Sequence, residues 1–94
     1  MVLIERNYRC RFGEIDLIMR DGMVVVFVEV RMRASQTFGG AAGSITLSKQ
    51  AKLMRTARRY LAALNTVPPC RFDAVLLSGN GGRDIEWIRN AFGE

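Results

Sequence analysis

The sequence predicts a small α/β domain with a mixed sheet, and three of its features carry that expectation. Two β-type apolar runs flank Asp21-Gly22, the dipeptide that most strongly signals a hairpin. One stretch, from 47 to about 64, carries apolar residues at helical spacing. Two more alternating runs, 70–77 and 84–92, follow the helix breaker Pro68-Pro69. Together with a strand-like N-terminus they give a three-stranded antiparallel meander, a helical crossover and two further strands. A helix between the third and fourth strands makes those two strands parallel neighbours.

Residues 1–12 read as a strand, with Tyr8, Cys10 and Phe12 alternating with Arg9 and Arg11. Exposed arginines on a strand are usually only solvated, and Arg9 and Arg11 are read that way. The hairpin follows from Gly13 to Arg33. With Asp21 and Gly22 as the two turn residues, Glu14 lies opposite Glu29 and Asp16 opposite Phe27. Alternation then places Glu14, Asp16, Glu29 and Arg31 on one face. The other face carries Ile15, Leu17, Met19, Val24, Val26, Val28 and Val30.

Three carboxylates on one patch of a valine-rich hairpin repel one another. A divalent metal, Arg31 or water is the counterpart this patch admits. The ASQTFGGAAGSIT stretch that follows is long for a connector. Its Phe38 is either a latch on the core or an aromatic for a nucleic-acid base. Its glycines make no phosphate loop, because the GxxxxGK[ST] pattern is missing.

Thr46 or Ser48 can cap the helix. Leu47, Ala51, Met54, Ala57, Leu61 and Leu64 form its apolar stripe, with Leu53 and Tyr60 at the border. That stripe is expected to pack on the valine face of the hairpin. Lys52, Arg55 and Arg59 lie opposite, while Lys49, in the first turn at the stripe's edge, can reach toward the acidic cluster. In the last strand Ile85, Trp87 and Arg89 share one face, and Ile88, Asn90 and Phe92 the other.

Ninety-four residues suit a single domain, and 49% apolar residues suffice for a modest core. The absence of histidine excludes histidine triads, imidazole zinc sites and histidine general bases. A carboxylate site therefore points to magnesium or manganese. Cys10 and Cys70 have no CxxC spacing and are expected to be reduced and buried. Charges come too early for a secretion signal, and no apolar run approaches the roughly 20 residues of a membrane span. A cytoplasmic chain with no membrane partner is expected.

The net charge of +5 is unevenly placed. Between Val30 and Phe72 there is no acid, but there are Arg31, Arg33, Lys49, Lys52, Arg55, Arg58, Arg59 and Arg71. An acidic cluster beside a basic belt suits a polyanion such as DNA.

The blocks RNYRCRFGEIDLI, RDG, VFVEVR, FGG, SKQAKL, RFDAV and WIRNAF resemble, in order, those of the bacterial YraN-like family. That family is placed among the PD-(D/E)xK nuclease-like proteins and likened to archaeal Holliday-junction resolvases. The resemblance implies a restriction-endonuclease-like core and an Mg²⁺- or Mn²⁺-dependent endonuclease acting on structured or branched DNA. It implies that Asp16 is the motif aspartate, that Glu29 is the acid of (D/E)xK, and that both hold the metal. Glu14 would complete the metal shell. Lys52, Arg55, Arg59 and Arg33 would contact nucleic acid.

Two departures from the family pattern stand out. Arg31 occupies the motif's lysine position, and an arginine is permanently charged and wider. It can stabilise charge or pair with Glu29, and Lys49 can take the lysine's part. The family also usually opens with a helix before the first strand, whereas this chain opens at the strand. Ile18, Val25 and Phe27 on the carboxylate face would then be partly uncovered, which implies a homodimer or a shortened chain. The alternative to an enzyme is a non-catalytic nucleic-acid-binding or dimerising domain.

Overall fold

Each hairpin of the meander turns through two residues. β1 (Val2–Cys10) passes through Arg11 and Phe12 into β2 (Gly13–Asp21), which passes through Gly22 and Met23 into β3 (Val24–Met32). Then come α1 (Leu47–Ala62), β4 (Cys70–Ser78) and β5 (Asp84–Phe92). The structure, a computed structural model, describes residues 1–32, 45–79 and 83–93. Arg33, Phe38 and the glycines of the long connector lie outside the described residues. The five strands form one sheet in the order β1-β2-β3-β4-β5. All neighbours are antiparallel except β3 and β4, which run parallel on either side of the helical connection.

The β2–β3 register differs from the sequence expectation by one turn position. Asp21 pairs with Val24, so Gly22 and Met23 form the loop rather than Asp21 and Gly22. Gly22 has φ 61° while Met23 is not in the left-handed region. Positive φ at the first loop residue alone is the type II′ pattern, which glycine takes without steric cost. The shift moves each partner by two residues, and a shift of two leaves every side chain on its face.

The helix covers the opposite face from the one expected. Ile15, Ile18, Val25, Phe27, Phe72 and Ala74 form the core with Leu53 and Ala57 of α1. Tyr60 closes on Tyr8 and Phe27, both edge-on at 5.3 and 6.0 Å. Val26, Val28 and Val75 form a second cluster with Leu17, Met19 and Val24. Alternation distinguishes two faces, but the hand of the crossover decides which one receives the helix. Ile18, Val25 and Phe27 are therefore buried under α1 rather than open to a partner. Exposed apolar side chains lie elsewhere, among them Val2, Leu3 and Ile4 on β1 and Ile85 and Trp87 on β5.

The buried stripe of α1 is also rotated from the expected one. Leu53, Thr56 and Ala57 are buried, while Leu47 is 81% exposed. Thr56 enters because its hydroxyl donates to the Lys52 carbonyl at 2.8 Å, so its burial leaves no unpaired polar group. Gly13 permits the close approach: at φ 151°, an added Cβ would stand 3.2 Å from the Thr56 oxygen. A hydrophobic pattern does not register a threonine packed against a glycine. The helix ends two residues early as its last turn tightens, the Leu64 N–H donating to the Leu61 carbonyl at 3.0 Å. Cys10 and Cys70 are unbridged as expected, but neither is buried: Cys10 is half-buried and Cys70, the first residue of β4, is exposed.

Opposite the helix, Asp73 is fully buried and fully partnered. It accepts from Arg71 Nε at 3.0 Å, Trp87 Nε1 at 2.7 Å and the Asn90 N–H at 2.9 Å. Phe72 pairs with Phe92 but Ala74 with Ile88, so β5 carries extra residues across from Asp73. Asn90 sits in that bulge at φ 52°, and the Asp73 carboxylate takes its N–H in place of a ladder carbonyl. Arg71 also reaches Asp21 at 3.0 Å, so it is neutralised inside the fold and leaves the basic belt. Replacing Asp73 by Asn removes the buried half of the Arg71 pairing, leaving Asp21 as its remaining acid, and is expected to cost about 2 kcal/mol. Urea unfolding checks this, and a loss below about 0.5 kcal/mol would contradict the structural role assigned to it.

Candidate functional site

Strand alternation breaks where the acids lie. Ile15 and Ile18 both enter the core beneath α1, although they are three residues apart, while Leu17 packs with the valine cluster. The break falls at Asp16, which the register places across from Asn7, a residue at φ 51°. The β2–β3 pairing runs from Asp21 to Leu17 and from Val24 to Val28. One step further sets Asp16 against Glu29, and there the Val30 N–H donates to Asp16 Oδ2 at 2.8 Å. A bulge-like interruption of this kind re-aims a side chain beside a site.

Glu29 projects from β3, beside Ala74 of β4, and is only 4% exposed. The cation at Glu29 comes from the helix. Thr46 is the N-cap, accepting from the Lys49 N–H at 3.1 Å, and Gln50 Nε2 donates to the Ile45 carbonyl at 3.0 Å. These bonds fix the first turn. They place Lys49 Nζ 3.4 Å from Glu29 Oε2, with the Lys49 side chain 41% exposed. Asp16, Glu29 and Lys49 thus converge as the sequence suggested.

Burial pushes the Glu29 carboxyl up from an ordinary 4.5 to about 7, and its hydrogen bond to Asp16 and the Asp16 charge push the same way. Lys49 opposes the rise without cancelling it. The Glu29 carboxyl is therefore partly protonated near neutral pH.

The other sequence-predicted residues fall as follows. Glu14 pairs with Arg9, both by strand register and by an ion pair of 2.7 Å, and not with Glu29 as the expected register had it. Among the described residues no group of three or more His, Cys, Asp or Glu assembles. Arg31 is half-buried on β3 in register with Leu76. Lys52, Arg55 and Arg59 are exposed on α1, as the basic face requires. Sequence reading missed the Val30 amide as a partner of Asp16, since a backbone donor leaves no residue signature. It also missed the docking of the β1–β2 turn against α1.

The fold and site define a small mixed-sheet α/β protein with a pair of acids and one helix-borne ammonium. Residues 1–77 match the uncharacterised protein family UPF0102, and the chain belongs to that family. This bears out the YraN-like resemblance at the level of the family. Relatives include a UPF0102 protein of Nitrosospira multiformis, 74% identical over 98% of this chain and 77% of its own length. Another, from Nitrosomonas europaea, is 68% identical over the whole chain and 80% of its own length. A third, from Methylobacillus flagellatus, is 58% identical over 98% of this chain and 80% of its own length. Among the described residues no helix is long and apolar enough to cross a membrane.

The raised Glu29 carboxyl has a consequence for stability. Glu29 holds its proton more tightly folded than unfolded, so its contribution is fully present below about 4.5 and is lost as pH rises through about 7. The stability of Glu29→Gln relative to wild type should therefore rise by about 2–3 kcal/mol between mildly acidic and mildly alkaline pH. Urea unfolding across that range checks it; a pH-independent difference would contradict the shift.

Proposed function

We propose that this chain is a metal-dependent endonuclease domain acting on structured or branched DNA. The observation that carries the reading is the convergence of Lys49 on Glu29, at 3.4 Å, beside Asp16. The donor set suits Mg²⁺ or Mn²⁺: the two acids offer only hard oxygen atoms, and Mg²⁺ commonly binds one or two carboxylates and keeps several waters. Burial raises the Glu29 carboxyl first and the Asp16 charge adds to it, and a divalent cation would offset both by favouring the ionised form. Such an ion, when bound, supplies Lewis-acid polarisation of the phosphate and acidifies coordinated water.

The chain's own residues have separate parts. Asp16 is oriented by the Val30 amide, which holds one of its carboxylate oxygens. Glu29 is held in place by its strand and by burial. Lys49 carries the role that the motif assigns to the lysine at the Arg31 position. Its compact ammonium can donate to a phosphate oxygen as charge develops there, and unlike an arginine it can exchange a proton. Lys52, Arg55 and Arg59 on the exposed side of α1 would take phosphates of the flanking strand. Glu14 would act at this centre only after leaving Arg9.

A second reading, a non-catalytic nucleic-acid-binding or dimerising domain, is favoured by one feature: Lys49 already sits on Glu29 in the free site. Incubation with four-way junction, flap and single-stranded DNA, with Mn²⁺ or with chelator, separates the two. The nuclease reading expects metal-dependent cleavage that Asp16→Ala abolishes and Lys49→Ala slows by about 100-fold or more. Tight binding without cleavage in Mn²⁺ supports the second reading instead.

A further inference from the structure

The β1–β2 turn brings an aromatic ring and two arginines, none of them used in the reading above, to the basic side of α1. Cys10 pairs with Gly13, so Arg11 and Phe12 form the tip of the turn. Gly13 rests against Thr56 and Lys52, which docks that tip beside the middle of α1. Arg9, Arg11 and Phe12 line a cleft of about 610 Å³ together with Arg59 of the helix. Phe12 also lines an adjoining cleft of about 400 Å³ with Arg55, Arg58 and Arg59. Two separate elements thus contribute five guanidinium groups around one aromatic ring. The acid paired within this patch is Glu14, bound to Arg9.

Packing does not account for Phe12. It belongs to neither core cluster and is 37% exposed, with the Arg11 guanidinium 4.9 Å from its ring centre. An acidic protein surface would use the arginines but gain little from the ring. A nucleic-acid strand uses both, since phosphates pair with guanidinium groups while an unpaired base stacks on an aromatic face. A continuous duplex keeps its bases stacked on one another and offers the ring nothing.

We infer that this cleft is a binding site for an unpaired nucleotide, with its base on Phe12 and its flanking phosphates on Arg11, Arg55 and Arg59. The inference rests on the nucleic-acid reading above and names its substrate class: DNA with an unpaired segment near the cut. Ten residues of helix separate Lys49 from Arg59, a rise of about 15 Å. A strand seated on Phe12 therefore lies within a few nucleotides of Asp16 and Glu29.

Binding of a short single-stranded oligonucleotide carrying a fluorescent purine analogue, and of a duplex of equal length, tests this in chelator, where no cleavage occurs. Wild type should prefer the single strand and quench the analogue. Phe12→Ala should weaken single-strand binding by about tenfold, abolish the quenching and leave duplex binding unchanged. Phe12→Trp should retain both signals, which separates lost stacking from a damaged turn. Arg55→Gln should weaken both ligands and lower the salt slope by about one. Unchanged single-strand affinity and quenching in Phe12→Ala would overturn the proposal. So would a wild type that binds no single strand, or one from which inorganic polyphosphate displaces the oligonucleotide as readily as unlabelled oligonucleotide does. A wild type that binds as described but never cuts DNA in Mn²⁺ overturns the cleavage reading alone.

Discussion

The burial of the Glu29 carboxyl beside Asp16, with Lys49 as its nearby cation, is the constraint around which the rest of the site is arranged. Placing two acids together on the covered face of a sheet is costly, because burial removes the solvent that would stabilise their charge. The fold meets that cost from the helix, whose capped first turn delivers an ammonium to the acid. It meets the rest from a local break in β2, which gives Asp16 a backbone donor. A core selected for stability alone would place an apolar residue at position 29, as at Val25 and Phe27 on the same strand face.

Asp73 shows how differently this fold treats an acid whose work is structural. Its burial alone would raise its pKa, as it does for Glu29. Hydrogen bonds from Arg71, Trp87 and the Asn90 amide, with the Arg71 charge, outweigh that effect and hold Asp73 below its usual value. Two acids on adjacent central strands, each buried, thus move in opposite directions. The satisfied one closes a bulge and ties β4 to β5. The other, raised by burial, faces a partly exposed lysine, and that contrast is what makes it the candidate functional group.

Much of this was legible in the residues. Alternation put Asp16 and Glu29 on one face, and that conclusion survived a wrong turn because the register moved by an even number of residues. The parallel β3–β4 pair followed from the helix between them, and Thr46 and Lys49 were visible as a cap and a first-turn cation. The side of the sheet that α1 covers was not legible, since periodicity within a strand does not encode the hand of a crossover. Nor was the burial of Thr56, which depends on a glycine forty-three positions earlier in the chain. Arg71 looked like part of a basic belt because one partner, Asp21, is fifty positions away, although the other, Asp73, lies two residues on and shares its strand face.

The apolar surface was likewise displaced from where the sequence put it. The face left bare in an all-strand picture is the one α1 fills, and exposed apolar side chains include Val2, Leu3 and Ile4 on β1 and Ile85 and Trp87 on β5. The polar surface follows the helix and the β1–β2 turn. The most direct test of the central claim is a calorimetric titration of the free protein with Mn²⁺ near neutral pH. The account predicts saturable binding with proton release as Glu29 ionises, and loss of both in Glu29→Gln. No binding, or binding that Glu29→Gln leaves intact, would contradict it.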